Sequence, residues 1–270
     1  MILLRIGLTP IAFALVSRAQ SRFGDWIGGR LIGLPLTTGP FLLTVCMTSS
    51  RTTAAHAAAG VTNGQMAVVI FCSVYAWTAR RMRPLGATLT SLLLALTAVI
   101  ALSAVGGIWE ATSAVWLMIA ASLVLWPWAH DRNPDTDTAA PATPATMVQR
   151  ALISTCVVAT MSTLVPILGA RPAGIISSAP VLLSIMLPGT HRQTGAAGAA
   201  AMARGTIVSM AATVAFSATL ATTLPQMSVM AALLVSASVL GTLLAATPLL
   251  DRLVTQLSPG PARAHAPAHP

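Results

Sequence analysis

The chain has no lysine, a single glutamate and only 8% charged residues among 270. A soluble domain carries about 25% charged residues. So little charge cannot cover a water-facing surface, and 55% of the residues are hydrophobic. The composition therefore predicts an all-α polytopic membrane protein. Without lysine no Gly-x-x-x-x-Gly-Lys phosphate loop exists, so the chain is not itself an ATPase. There is no His-Glu-x-x-His, no Gly-x-Ser-x-Gly and no acidic metal cluster. No catalytic residue, metal or cofactor is expected. Cys46, Cys72 and Cys156 are odd in number and lie apart in apolar runs. That pattern gives neither a disulfide framework nor a zinc motif, and each is read as a small buried hydrophobe.

What the chain does have is arginine. Its fifteen basic residues are all Arg, for a net charge of +9. They lie in short clusters between apolar runs, which is the distribution of the positive-inside rule and not of a nucleic-acid groove. A span needs about 20 apolar residues. Nine are predicted, near 2–17, 27–48, 53–79, 85–106, 112–129, 148–168, 172–188, 195–223 and 227–250. The first is short and carries Arg5 and Pro10; Arg18 stands where a signal-peptide cleavage site wants a small residue, so a span is preferred to a leader. With the N-terminus outside, the inner loops hold twelve Arg, and only Arg5, Arg51 and Arg171 fall outside. This predicts an N-terminus outside and a C-terminus in the cytoplasm. The inner arginines could also meet anionic lipid, although setting topology is their simpler role. Trp109, Trp116, Trp126 and Trp128 are read as an interfacial belt at the two ends of the fifth span. Residues 130–147 read as a cytoplasmic linker and 251–270 as a disordered tail.

Shifting the sequence by 145 residues brings Gly29 onto Gly174, Pro35 onto Pro180, Gly60 onto Gly205, Val69 onto Val214, Phe71 onto Phe216 and Arg5 onto Arg150. This predicts a duplication: a first repeat over 1–107, a linking helix at 108–129 and a second repeat over 148–250. Five spans separate equivalent points, so the two four-helix repeats must be inverted, an arrangement recurrent in secondary transporters. The second and seventh spans are interrupted by "IGLPLTTGPFLL" and "RPAGIISSAPVLLSIMLPG". Two readings stay open. In one, Gly33, Pro35, Thr37, Thr38, Gly39 and Pro40 face Ser177, Ser178 and Pro180 across a substrate site, their backbone groups lining a polar cavity. In the other, the prolines kink packed helices, and Thr37, Thr38, Ser177 and Ser178 satisfy the freed carbonyls. Gly60 and Gly205 lie on small-residue faces that allow close helix approach. His56 is placed on the same face as Gly60. His56, Glu110 and Arg204 are the candidates for a proton or polar relay, with Glu110 equally readable as a helix start. Asp25, between Arg22 and Arg30, reads as a weak local ion pair. Met202, Met210, Met227 and Met230 read as core filler and not as a copper relay.

"AGIISSAPVLLSI" followed by "GAAGAAAMARGTIVSM" resembles the GlpM family of small bacterial inner-membrane proteins, with Gly174, Pro180, Arg204, Thr206 and Ile207 carrying the likeness over about 80 residues. In the first half Gly29 and Pro35 fit, but Ala59 stands where Arg204 does. The resemblance implies a fused pair of four-span units. It names no substrate. The expected function is a transporter or permease for a small neutral, anionic or lipid-linked solute. The alternative is a non-catalytic membrane subunit of an envelope or transport complex, acting with a partner membrane protein or a second copy. Scarce ionisable groups at depth argue against coupling to an ion.

Overall fold

The computed structural model describes residues 18–35, 38–102, 107–126 and 169–257. After a helical stretch at 18–23 come α1 (Asp25–Ile32), α2 (Thr38–Thr48), α3 (Arg51–Thr78), α4 (Pro84–Leu102), α5 (Ile108–Val124), α6 (Ala170–Ser177), α7 (Val181–Thr223) and α8 (Val229–Leu257). The described residues contain no strand. Three stretches are long and apolar enough to cross a membrane: Arg51–Thr78, Ala170–Thr223 and Val229–Ala246. The first is largely buried among its neighbours, whereas the third is largely exposed. α4 also turns Leu85, Leu89, Leu93, Leu96 and Ile100 outward. Such apolar outer faces suit a lipid surround.

Glycine and proline set the boundaries. α1 and α6 each begin after a glycine at φ +87, Gly24 and Gly169, in the left-handed region that glycine enters at little cost. α1 ends at Gly33 and α6 at Ser178. Pro35 and Pro180 follow, and neither can donate the next helical hydrogen bond. Ser50 caps α3, its side chain accepting from the Thr53 amide at 3.2 Å. α7 is broken at Gly195, with φ 77 and ψ −172.

The 145-residue shift recurs in these boundaries. It carries 25–32 onto 170–177, Gly24 onto Gly169, 51–78 onto 196–223, and Pro84 onto Val229, the first residues of α4 and α8. Ser91 and Ser236 are equivalent and fully buried, and each bonds the carbonyl four residues back, Ala87 at 2.7 Å and Ala232 at 2.8 Å.

Two contacts set the direction of α3 against the second part of α7. Arg51 Nη1 reaches the Met227 carbonyl, just past the end of α7, at 3.5 Å, and the Thr62 and Ser217 hydroxyls are 2.9 Å apart. One number rises while the other falls, so the two helices run antiparallel. Tyr75 Oη lies 3.3 Å from His191 Nδ1, in the first part of α7 before the Gly195 break. The short helices cross over between halves. Gly29 lies against the Met202 carbonyl, Gly33 against Thr206 and Ser209, and Gly205 against the Trp26 carbonyl, which seats α1 on α7. Gly60 lies against the Arg171 carbonyl, Gly64 against Ile175 and Ser178, and Gly174 against the Ala57 carbonyl, which seats α6 on α3. A Cβ at any of these positions would strike main chain, so glycine is what lets the helices meet. Two apolar clusters fill the ends of the bundle: Phe71, Tyr75, Met186, Leu187, Met202 and Met210 at one, and Phe41, Leu42, Cys46, Leu220 and Leu224 at the other.

Several expectations change. Stretch 27–48 is two helices, α1 and α2, and stretch 172–188 divides between α6 and α7. Stretches 2–17 and 148–168 and the linker 130–147 lie outside the described residues. α8 continues to Leu257, past the point where the tail was expected to begin. Trp126 is buried in the larger cluster, where its indole packs on apolar side chains; Trp109 is exposed, and Trp128 lies outside the described residues. Cys46 and Cys72 are buried free thiols, while Cys156 lies outside the described residues.

Candidate functional site

The two breaks are not placed face to face by any hydrogen bond among the described residues. Each docks on the long helix of the other half. Gly33 is buried, and its carbonyl accepts from Thr213 Oγ1 at 2.7 Å. One turn earlier the Gly29 carbonyl accepts from Thr206 Oγ1 at 3.1 Å. Pro35 accepts from the Gly39 amide at 2.8 Å, and Pro40 accepts from Thr44 Oγ1 at 2.7 Å. Thr38 is buried at the start of α2, and Thr37 lies outside the described residues. At the second break, Ser177 Oγ donates to the Gly174 carbonyl at 2.7 Å. Ser178 is buried and lies 3.2 Å from both the Gly174 and the Val61 carbonyls. Pro180 is buried at the start of α7 and accepts from the Ser184 amide at 2.8 Å. The hydroxyls at the breaks thus satisfy helix-end carbonyls, and at α1 those of Gly29 and Gly33 are met by Thr206 and Thr213 of α7.

His56 does not share the packing face of Gly60. The face that α6 covers is centred on Ala57, Val61 and Gly64, which leaves His56 at its edge and exposed. Glu110 starts α5, where its Oε2 accepts from the Gly107 amide at 3.0 Å. A carboxylate in the first turn satisfies a free amide and meets the helix dipole favourably. Glu110→Ala is expected to cost about 0.5–1 kcal/mol. Thermal unfolding in detergent would show this as a small fall in midpoint. Arg204 is half-buried on α7 beside Gly205. Met202 and Met210 are buried core, and Met230 is exposed. Among the described residues no group of His, Cys, Asp or Glu could hold a metal ion.

A search of the sequence for charge passes over two features. The first is a band of buried polar side chains at the middle of the α3–α7 pair: Thr62, Asn63 and Gln65 on α3, and Ser209, Thr213 and Ser217 on α7. Asn63 Nδ2 is buried with no hydrogen-bond partner, a state that costs about 1–3 kcal/mol. Its signal was present as the amides of "VTNGQ" inside an apolar run. The second is Asp25, a carboxylate buried at 6% exposure. Gln20 Nε2 donates to Oδ1 at 2.6 Å and Thr194 Oγ1 to Oδ2 at 2.7 Å, while Gln20 Nε2 also reaches Thr190 Oγ1 at 2.8 Å. These partners come from both halves, and nothing local in the sequence announces them.

Searches of protein-family models, of curated proteins and of solved structures find no match to this chain.

Proposed function

We propose that the protein is a membrane permease of two inverted repeats that passes a small solute along the polar band between α3 and α7. In this reading it sits in a bacterial inner membrane with the N-terminus outside, and a fused pair of GlpM-like units is its origin. The observation that carries the proposal is the antiparallel pairing of α3 with residues 196–223, its equivalent under the 145-residue shift, read from the Thr62–Ser217 and Arg51–Met227 contacts. Equivalent helices running in opposite directions are what an odd number of intervening spans requires. The breaks at Gly33–Pro40 and Ser177–Pro180 flank the middle of this pair, where Ser and Thr bonds to main chain can be exchanged for bonds to solute. A non-catalytic membrane subunit is the second reading, favoured by the same hydroxyls, since they are already committed to helix-end carbonyls.

Topology tests the architecture. Thr52 and Ala197 are equivalent and both exposed. They suit labelling better than Gly195, whose φ of 77 would strain a cysteine. In a background without Cys46, Cys72 and Cys156, Thr52→Cys should react with an impermeant maleimide only from outside and Ala197→Cys only from inside. Reaction of both from one side would sink the inverted arrangement. Solute flux into reconstituted liposomes then separates permease from subunit.

A further inference from the structure

Asn63 stands out among the polar side chains of the central band. Thr62 bonds Ser217, Ser178 bonds Val61, Ser209 bonds Gly205 and Thr213 bonds Gly33. Hydroxyls in a helix can always return to a carbonyl one turn back. The Asn63 amide is 5% exposed and its Nδ2 donates to nothing. It lies near the midpoint of α3, which spans residues 51–78. At a rise of about 1.5 Å per residue this is roughly 18 Å from the helix start. Thr52, His56, Ala59 and Asn63 follow one another at spacings of four, three and four, so they share one face of α3. Exposure falls along that face: Thr52 and His56 are exposed, Ala59 is half-buried and Asn63 is buried. One face of α3 thus runs from two exposed polar side chains, past the small Ala59, to an unused donor.

We infer that Asn63 is the inner ligand of a site for a small uncharged solute bearing an acceptor oxygen, a hydroxyl or carbonyl compound, entered past Thr52 and His56. This rests on the permease reading and assigns its substrate class. An uncharged solute is the fit because α3 carries no charged side chain between Arg51 and its end at Thr78. An ion stripped of water there would find no counter-charge on α3 itself, whereas a neutral oxygen needs only the donor that Asn63 offers.

The test uses the full-length protein in liposomes, with urea and glycerol as neutral probes and chloride as the ionic one, followed by stopped-flow light scattering. The wild type should pass at least one neutral probe faster than empty liposomes. Asn63→Leu should cut that flux about tenfold or more, the equivalent of one lost hydrogen bond. It should also melt in detergent no lower than the wild type, because it removes an unpaired polar group. Asn63→Ser, which keeps a donor, should hold part of the flux, and it remains informative if the leucine variant misfolds. Wild-type flux in both variants would overturn the assignment of Asn63 while leaving the permease standing. Chloride passing without either neutral probe would overturn the solute class. No flux of any probe through the wild type would remove the permease reading itself.

Discussion

Gly33→Ser should destabilise the fold by about 2 kcal/mol, the middle of the range for overpacking a tight interior, and adding Ser209→Gly to the same chain should return part of that loss, since the contact with the Thr206 carbonyl remains. A Cβ on Gly33 would come 2.7 Å from Ser209 Cβ and 2.5 Å from the Thr206 carbonyl oxygen. The other half shows the same junction with the two residues exchanged. There Ser178 occupies the position of Gly33, and Gly64 that of Ser209, under the 145-residue shift. A Cβ on Gly64 would lie 2.7 Å from Ser178 Cβ, so at each junction a second Cβ would strike the first, and it would also strike a carbonyl oxygen of the facing helix. The double variant rebuilds the second junction at the first. A serine at position 33 would then have the Thr206 carbonyl as acceptor, as Ser178 has that of Val61 at 3.2 Å. Unfolding of the wild type, both single variants and the double variant in detergent gives the coupling directly. Additive losses would mean that the two junctions are not equivalent. Gly241→Ala is the control: nothing lies within 4 Å of a Cβ there, so removing a helical glycine should be neutral or stabilise slightly.

This pair also shows which part of the architecture was readable from the chain. Gly33, Pro35, Ser178 and Pro180 mark the breaks because glycine and proline act locally, and the boundaries at 33–35 and 178–180 follow from them. The 145-residue correspondence of helix boundaries left a mark in the sequence because Gly29, Gly60, Gly174 and Gly205 are contact residues that no larger side chain can replace. What each glycine touches was not readable. α1 seats on α7 and α6 on α3, and an exchange between halves leaves no mark on either segment alone. The face of α3 was not readable either. Ala54, Ala55, Ala57, Ala58 and Ala59 surround the helix, so periodicity does not orient it, and His56 was set on the wrong face. Asn63 and Gln65 escaped because they carry no charge, although inside an apolar helix an amide is nearly as conspicuous as an ion.

Asp25→Leu should cost about 2 kcal/mol, because the buried Gln20 amide loses its carboxylate acceptor, at about 1–3 kcal/mol, while Thr194 Oγ1 falls back on the Thr190 carbonyl. Asp25→Asn should cost clearly less: Thr190 and Thr194 can reverse their hydroxyls, and Gln20 can turn its amide to present oxygen. Unfolding of both variants in detergent checks the order, and an asparagine variant as weak as the leucine one would show that the charge itself is required. The position gives the network a wider consequence. It ties residue 20 and the first turn of α1 to Thr190 and Thr194, just before the break at Gly195. At the opposite end the 145-residue shift puts Ala170, Val45 and Ser49 where Asp25, Thr190 and Thr194 stand. Two halves that match in helix boundaries therefore differ in what holds their ends: one end has a polar tie around a carboxylate, and at the other no carboxylate replaces Asp25. If the permease alternates between openings at its two ends, the tie favours closure at the α1 end, and each 1.4 kcal/mol removed shifts that balance about tenfold. Labelling of Ala197→Cys, two residues beyond the Gly195 break, should then speed up in the Asp25→Asn background while the fold remains intact. An unchanged labelling rate in a folded Asp25→Asn protein would make the network a static brace, as the subunit reading requires.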